Sequence, residues 1–235
     1  MKRITFLVLL LCGFLSAQEN NVDKQLQQKI EEYTRDFKGI AGVYVYNLET
    51  GKEAGINPDT IFPTASIVKI PILIGLFDKI EKEEITLNDT LLYRDSRAYG
   101  GSGVMQFYKD STVTDLRTLA ALMITYSDNV TMYRMLSNSF YTDYALSQIP
   151  PYIQTAAKQG MVNKSRSEAV LVNAPSGDYA FYIATKDNQD TSWDYGNEAW
   201  ELQRNISAML WNYFEPESDW EPAENSGELV RGLRY

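Results

Sequence analysis

Histidine is absent from this 235-residue chain, and cysteine occurs once, at Cys12. Without an imidazole, neither a Ser-His-Asp nor a Cys-His arrangement can activate a nucleophile, and the common histidine-containing zinc sites are excluded as well. No metal or cofactor is expected. Basic residues are also scarce, with 22 Lys and Arg against 31 Asp and Glu for a net charge of −9. Nucleic acid and anionic membranes are therefore poor candidates as partners. Long apolar runs are missing too, since the only stretch of that kind, Ile4 to Leu15, is too short to span a bilayer.

That stretch follows Met1-Lys2-Arg3 and reads as a signal peptide over residues 1–17, with cleavage near Ala17 and a periplasmic or secreted mature protein. Its loss takes Lys2 and Arg3 and moves the net charge from −9 to about −11. Cys12 follows Leu9-Leu10-Leu11 rather than the small residues a lipid-attachment signal needs. With 44% hydrophobic and 23% charged residues, the rest suits one monomeric domain over 18–214 and a polar tail over 215–235. The one glycine-rich loop, Gly100-Gly101-Ser102-Gly103, lacks the context of a phosphate cradle and reads as the rim of a site.

What the chain does have is Ser66-Ile67-Val68-Lys69. Residues i and i+3 share a helix face, so the Lys69 amine can take the Ser66 proton where no imidazole exists. Pro63-Thr64-Ala65 precedes the serine, and Ile67, Val68, Ile70, Ile72, Leu73, Ile74, Leu76 and Phe77 predict a buried helix that is apolar nearly all round. A second helix is predicted over Thr114 to Ile124, capped by Thr114, with positions 116, 119, 120, 123 and 124 as its apolar stripe. It leads into Tyr126-Ser127-Asp128-Asn129.

S-x-x-K followed by S-D-N resembles the signature of class A β-lactamases and their penicillin-binding relatives, which is completed by K-T-G. Ser66 and Ser127 lie 61 positions apart, close to the family's separation of about sixty. Lys158-Gln159-Gly160 is the match for the third motif, because Tyr152 to Ala157 reads as a strand and Met161 to Arg166 leads into a hairpin. Its rival, Lys164-Ser165-Arg166, has the hydroxyl but lacks the glycine that lets a ligand lie against strand backbone.

Further strands are predicted at 41–46, 52–56, 168–172 and 179–184, with helices over Val22 to Phe37 and Trp193 to Trp211. With the resemblance, this order implies an α/β serine β-lactamase/DD-peptidase-like fold. Its antiparallel sheet is assembled from both chain ends and flanked by helices, with a shortened helical part over about 66–145. Only 28 residues separate Asn129 from Lys158, where the family has on the order of a hundred, including the loop with its deacylating glutamate. Glu84-Ile85-Thr86-Leu87-Asn88 spells that glutamate's motif in the wrong place and reads as a solvated turn, and Asp143 is the remaining acid of the short connection.

The resemblance implies roles as follows. Ser66 attacks an amide or lactam carbonyl, Lys69 takes or relays its proton, and Ser127 passes a proton to the leaving nitrogen with help from Lys158. The N–H groups of Ser66 and Met161 form the oxyanion hole. Asn129 holds the substrate amide, Gly160 admits the substrate against the strand, and Arg166 is a candidate for its carboxylate. Gln159 stands where the family has a hydroxyl. Three readings follow, all with a β-lactam or peptidoglycan-derived small molecule as ligand where there is one: a β-lactam hydrolase with impaired deacylation, a DD-peptidase acting on peptidoglycan stems, or a noncatalytic remnant.

Overall fold

The computed structural model describes residues 21–94, 104–125 and 143–222. The signal segment, the glycine-rich loop, the Ser127-Asp128-Asn129 motif and the end of the tail lie outside these residues.

Helix α1 (Lys24–Thr34) begins where the Asp23 carboxylate accepts the Leu26 N–H at 3.1 Å, and it buries Leu26 and Ile30. Strands β1 (Ile40–Asn47) and β2 (Glu53–Ile56) form a hairpin. Its turn is held by Asn47 Oδ1, which accepts from the N–H groups of Glu49 and Thr50, and by Gly51 at φ +68°. A 3-10 turn, Ala65–Val68, runs directly into α2 (Lys69–Glu81). Strands β3 (Thr90–Leu92) and β4 (Val113–Asp115) pair as a separate ribbon that leads into α3 (Leu116–Thr125). After a second 3-10 turn, Ala145–Gln148, come β5 (Gln154–Val162), β6 (Ser165–Asn173), β7 (Tyr179–Lys186) and finally α4 (Glu198–Phe214).

The main sheet is antiparallel throughout, in the order β2-β1-β7-β6-β5. Its middle is the pairing of β1 with β7, so the two chain ends meet there. Alternate residues divide the sheet into two faces. Val43, Val45, Ala157, Val170, Val172, Phe181 and Ile183 form the core face, buried against Leu202, Ile206 and Leu210 of α4 and Leu26 and Ile30 of α1. Each large aliphatic side chain buried there contributes about 1.5–3 kcal/mol. Lys158, Gly160, Ser167 and Ala169 fall on the other face, the one the Ser66 turn packs on.

Three local expectations are corrected. Asp115 rather than Thr114 caps α3, since its Oδ1 accepts the Thr118 N–H at 2.7 Å while Thr114 is drawn into pairing with Leu91. Helix α4 starts at Glu198 instead of Trp193, because Asn197 caps it by accepting the Ala199 N–H. Helix α2 is not the buried helix its composition suggested. Leu73 is its one buried residue, while Ile72 and Ile74 are 53% and 54% exposed. Among the described residues α3 is the helix packed on it, through a small cluster of Leu73, Ala120 and Met123.

Candidate active site

The local backbone around Ser66 is unusual. Ala65, just before it, is held at φ +42°, a left-handed conformation that costs a non-glycine residue about 1 kcal/mol or more. The turn closes when the Ile67 N–H donates to the Thr64 carbonyl at 2.8 Å. Pro71 is tolerated because it lies in the first turn of α2, where N–H groups have no helical acceptor. Ser66 and Lys69 are both half-buried.

Against this turn lies β5, the edge strand of the sheet. A Cβ placed on Gly160 would stand 2.7 Å from the Thr64 carbonyl oxygen, 2.8 Å from Ser167 Oγ and 3.0 Å from Ile67 Cγ1. Only glycine permits that approach. Lys158, two residues earlier on the same face, is buried, and its ammonium donates to the Gln159 carbonyl at 3.1 Å. Burial, and secondarily the charge of Lys69, lower Lys158 to about 8, while Glu168 opposes the shift. Ser66, Lys69, Lys158 and Gly160 thus converge on one side of the sheet, with Met161 next along the edge strand. The rival lysine, Lys164, is exposed at the hairpin turn.

Two predicted binding residues do not join them. Arg166 pairs with Met161 in register and turns to the core side, where it is fully buried. Its Nη1 donates to the carbonyls of Val162, Asn163 and Ser165, and its Nη2 to Ser192, with the guanidinium 4.2 Å from the Trp193 ring and 4.9 Å from that of Trp200. The expectation that Arg166 points back toward a substrate carboxylate is therefore corrected: it fastens the β5–β6 turn to the segment before α4. Gln159 is also buried, and its amide donates to Glu168 Oε1 at 2.7 Å.

Of the acids considered, Glu84 forms a half-exposed ion pair with Lys79 at 2.7 Å. Asp143 acts on Arg204 of α4, on the core side. Sequence reasoning missed Ser167, whose hydroxyl lies under Gly160 and donates to its carbonyl at 3.1 Å, and Glu168. The signal for both was available, as they stand opposite Gly160 and Gln159 of the third motif across the hairpin.

A five-stranded antiparallel sheet with helices α1 and α4 on one face and a serine-bearing turn and helix on the other is the architecture of the serine β-lactamases and penicillin-binding proteins. Comparison with known proteins agrees. The Beta-lactamase enzyme family matches residues 25–139 and 130–214, and the chain belongs to that family. Beta-lactamase SME-1 of Serratia marcescens is 27% identical over 124 residues, 53% of this chain and 42% of that protein, so the match spans less than half of the relative's length. The solved structure of PBP-A superposes with a TM-score of 0.73 at 20% identity, covering 83% of this chain and 97% of that one. A PBP-A mutant in acyl-enzyme complex with penicillin-G gives a TM-score of 0.72 at the same identity and coverage of this chain.

Proposed function

We propose that this protein opens β-lactam amides through an acyl-serine intermediate on Ser66, and that it releases the acyl group slowly. The carrying observation is the approach of the Lys158-Gln159-Gly160 strand to the Ser66-Lys69 turn, with one buried lysine whose affinity for its proton is lowered and a second lysine close enough to contribute to that lowering. In a histidine-free chain, two amines and a hydroxyl at the start of a helix suffice for acyl transfer. Lys69 takes the Ser66 proton, and the N–H groups of Ser66 and Met161 receive the carbonyl oxygen. Ser127 and Lys158 return a proton to the departing nitrogen, and Asn129 holds the substrate amide.

Slow release follows from the acids. Glu84 is paired with Lys79 in a half-exposed turn, and Asp143 acts on Arg204 on the other side of the sheet. Neither is offered as a base for deacylating water. The same fact favours a second reading, penicillin capture by a DD-peptidase acting on peptidoglycan stems, and the likeness to PBP-A suits it. Export through residues 1–17 belongs to either reading. Intact-mass measurement with penicillin-G tests both: a stoichiometric adduct that disappears in Ser66→Ala is expected. Hydrolysis of a chromogenic cephalosporin should show a burst followed by turnover slowed about 100-fold or more relative to a family member with the full connection. An adduct that survives in Ser66→Ala would overturn the nucleophile assignment.

A further inference from the structure

One buried carboxylate lies where the motif strand, the shortened connection and α4 meet. Glu168 is fully buried on the core face of β6, in a row with Arg166, Val170 and Val172. Its Oε1 accepts the Gln159 amide at 2.7 Å, and its Oε2 accepts the Ala145 N–H at 2.9 Å. Ala145 opens the 3-10 turn that follows the short connection, and its carbonyl accepts Ser207 Oγ of α4 at 2.7 Å. Gln159 is the residue between Lys158 and Gly160. The residue standing in place of the family's hydroxyl therefore has a partner that an ordinary sheet position would not supply.

We propose that Glu168 is a positioning residue for acyl transfer at Ser66, holding the Gln159 amide and the Ala145 N–H together so that the Lys158-Gln159-Gly160 strand stays seated against the Ser66 turn. The proposal rests on the acyl-serine reading above. A shift of the strand by a fraction of an ångström moves Lys158 and the Met161 N–H together, and misplacement of about 1 Å can cost two orders of magnitude in rate.

The ionised form makes the latch. Protonation puts an O–H against one of two donors, so the Gln159 amide must turn over or lose its bond. Burial raises Glu168 to about 7, against the pull of both hydrogen bonds and of Lys158 on β5. Its β7 neighbour is Ile183, the 3-10 turn meets it through the uncharged Ala145 N–H, whose residue is held in turn by Ser207 of α4, and Arg166 on its own strand is engaged by the turn carbonyls. The latch loosens as pH falls through about 7.

The test compares Glu168→Leu with Glu168→Gln in the full chain, reading penicillin-G acylation rate against pH and amide hydrogen exchange over 145–149 and 158–161. Glu168→Leu should acylate about 100-fold more slowly and exchange faster at both segments. Glu168→Gln mimics the protonated carboxyl, its carbonyl accepting the Ala145 N–H and its amide donating to the oxygen of a turned-over Gln159, so it should hold the low-pH rate of the wild type at every pH and lose the acid limb near pH 7. If Glu168→Leu does not fold, Gln159→Leu severs the strand tie alone and should also slow acylation. Wild-type rates in the leucine variants, or an acid limb that persists in Glu168→Gln, would overturn the proposal. Failure of the wild type to acylate would overturn the acyl-serine reading instead, and the exchange data would still decide whether the latch exists.

Discussion

Gly160→Ala tests the site at its tightest point. The added methyl would lie 2.7 Å from the Thr64 carbonyl oxygen, a backbone atom that cannot rotate away. Ordinary contact begins near 3.4 Å, so strand and turn must separate by about 0.7 Å, and Ser66, two residues past Thr64, moves with the turn. A displacement of that size should lower the acylation rate by about 100-fold and cost about 1–3 kcal/mol of stability through overpacking. Time-resolved mass spectrometry with penicillin-G, beside thermal denaturation, reads the two effects separately. Gly75→Ala is the matched control, because a Cβ there meets nothing within 4 Å and α2 would gain about 0.5–1 kcal/mol of helix propensity. A folded Gly160→Ala protein that acylates at the wild-type rate would refute the close approach as the device that seats the nucleophile.

Three further outcomes are expected. Lys158 carries its proton below about 8 and sheds it above, so acylation should fall as pH rises through that value, and Lys158→Met should abolish this limb along with about 99% of the rate. Because the lowered affinity penalises the charged lysine in the fold at every pH below about 8, the same variant should be more stable than wild type at pH 7, by up to about 3 kcal/mol in chemical denaturation. An unchanged or lower stability would mean that the ammonium is better solvated than its burial indicates. Arg166→Lys keeps the charge but loses the fork that serves four carbonyls and the stacking on two indoles; it should destabilise the fold by about 2–4 kcal/mol while leaving the acylation rate of the folded protein unchanged. A selective loss of penicillin binding would return Arg166 to the substrate.

The strands were the most legible part of the chain, because alternation and turn residues are local signals. The β1–β2 hairpin and the β5–β6–β7 meander lie within a few residues of where Asn47, Gly51, Asn163 and Gly177 bend the backbone. Lys158 and Gly160 were legible as a pair through the third motif. The two-residue period and the tight β5–β6 turn also send Gln159 and Arg166 to the face away from Lys158, which is where both lie. Helix ends depended on competition between neighbours: Thr114 could cap α3, but pairing of Val113 with Leu92 took it into a strand and left the cap to Asp115. The exposure of α2 was not readable, since an apolar helix is buried only if another element arrives to cover it. The bond from Ala145 to Glu168 joins residues 23 positions apart across two elements and has no local sequence signature.

The pairing of β1 with β7 sets the order in which this protein can come into being. Ile40 is matched with Lys186, partners separated by about 150 positions, so the centre of the sheet is a late, high-contact-order event whose loop-closure entropy must be overcome before any strand pairing repays it. During synthesis the β1–β2 hairpin and the Ser66 turn emerge long before β5, and β1 waits as an open edge until the last strand arrives. Ser66 therefore cannot meet Lys158 until β5 has been made. On the acyl-serine reading proposed above, the nascent protein would be chemically silent until then, and the appearance of an acylatable serine would report that β5 has been seated against the turn.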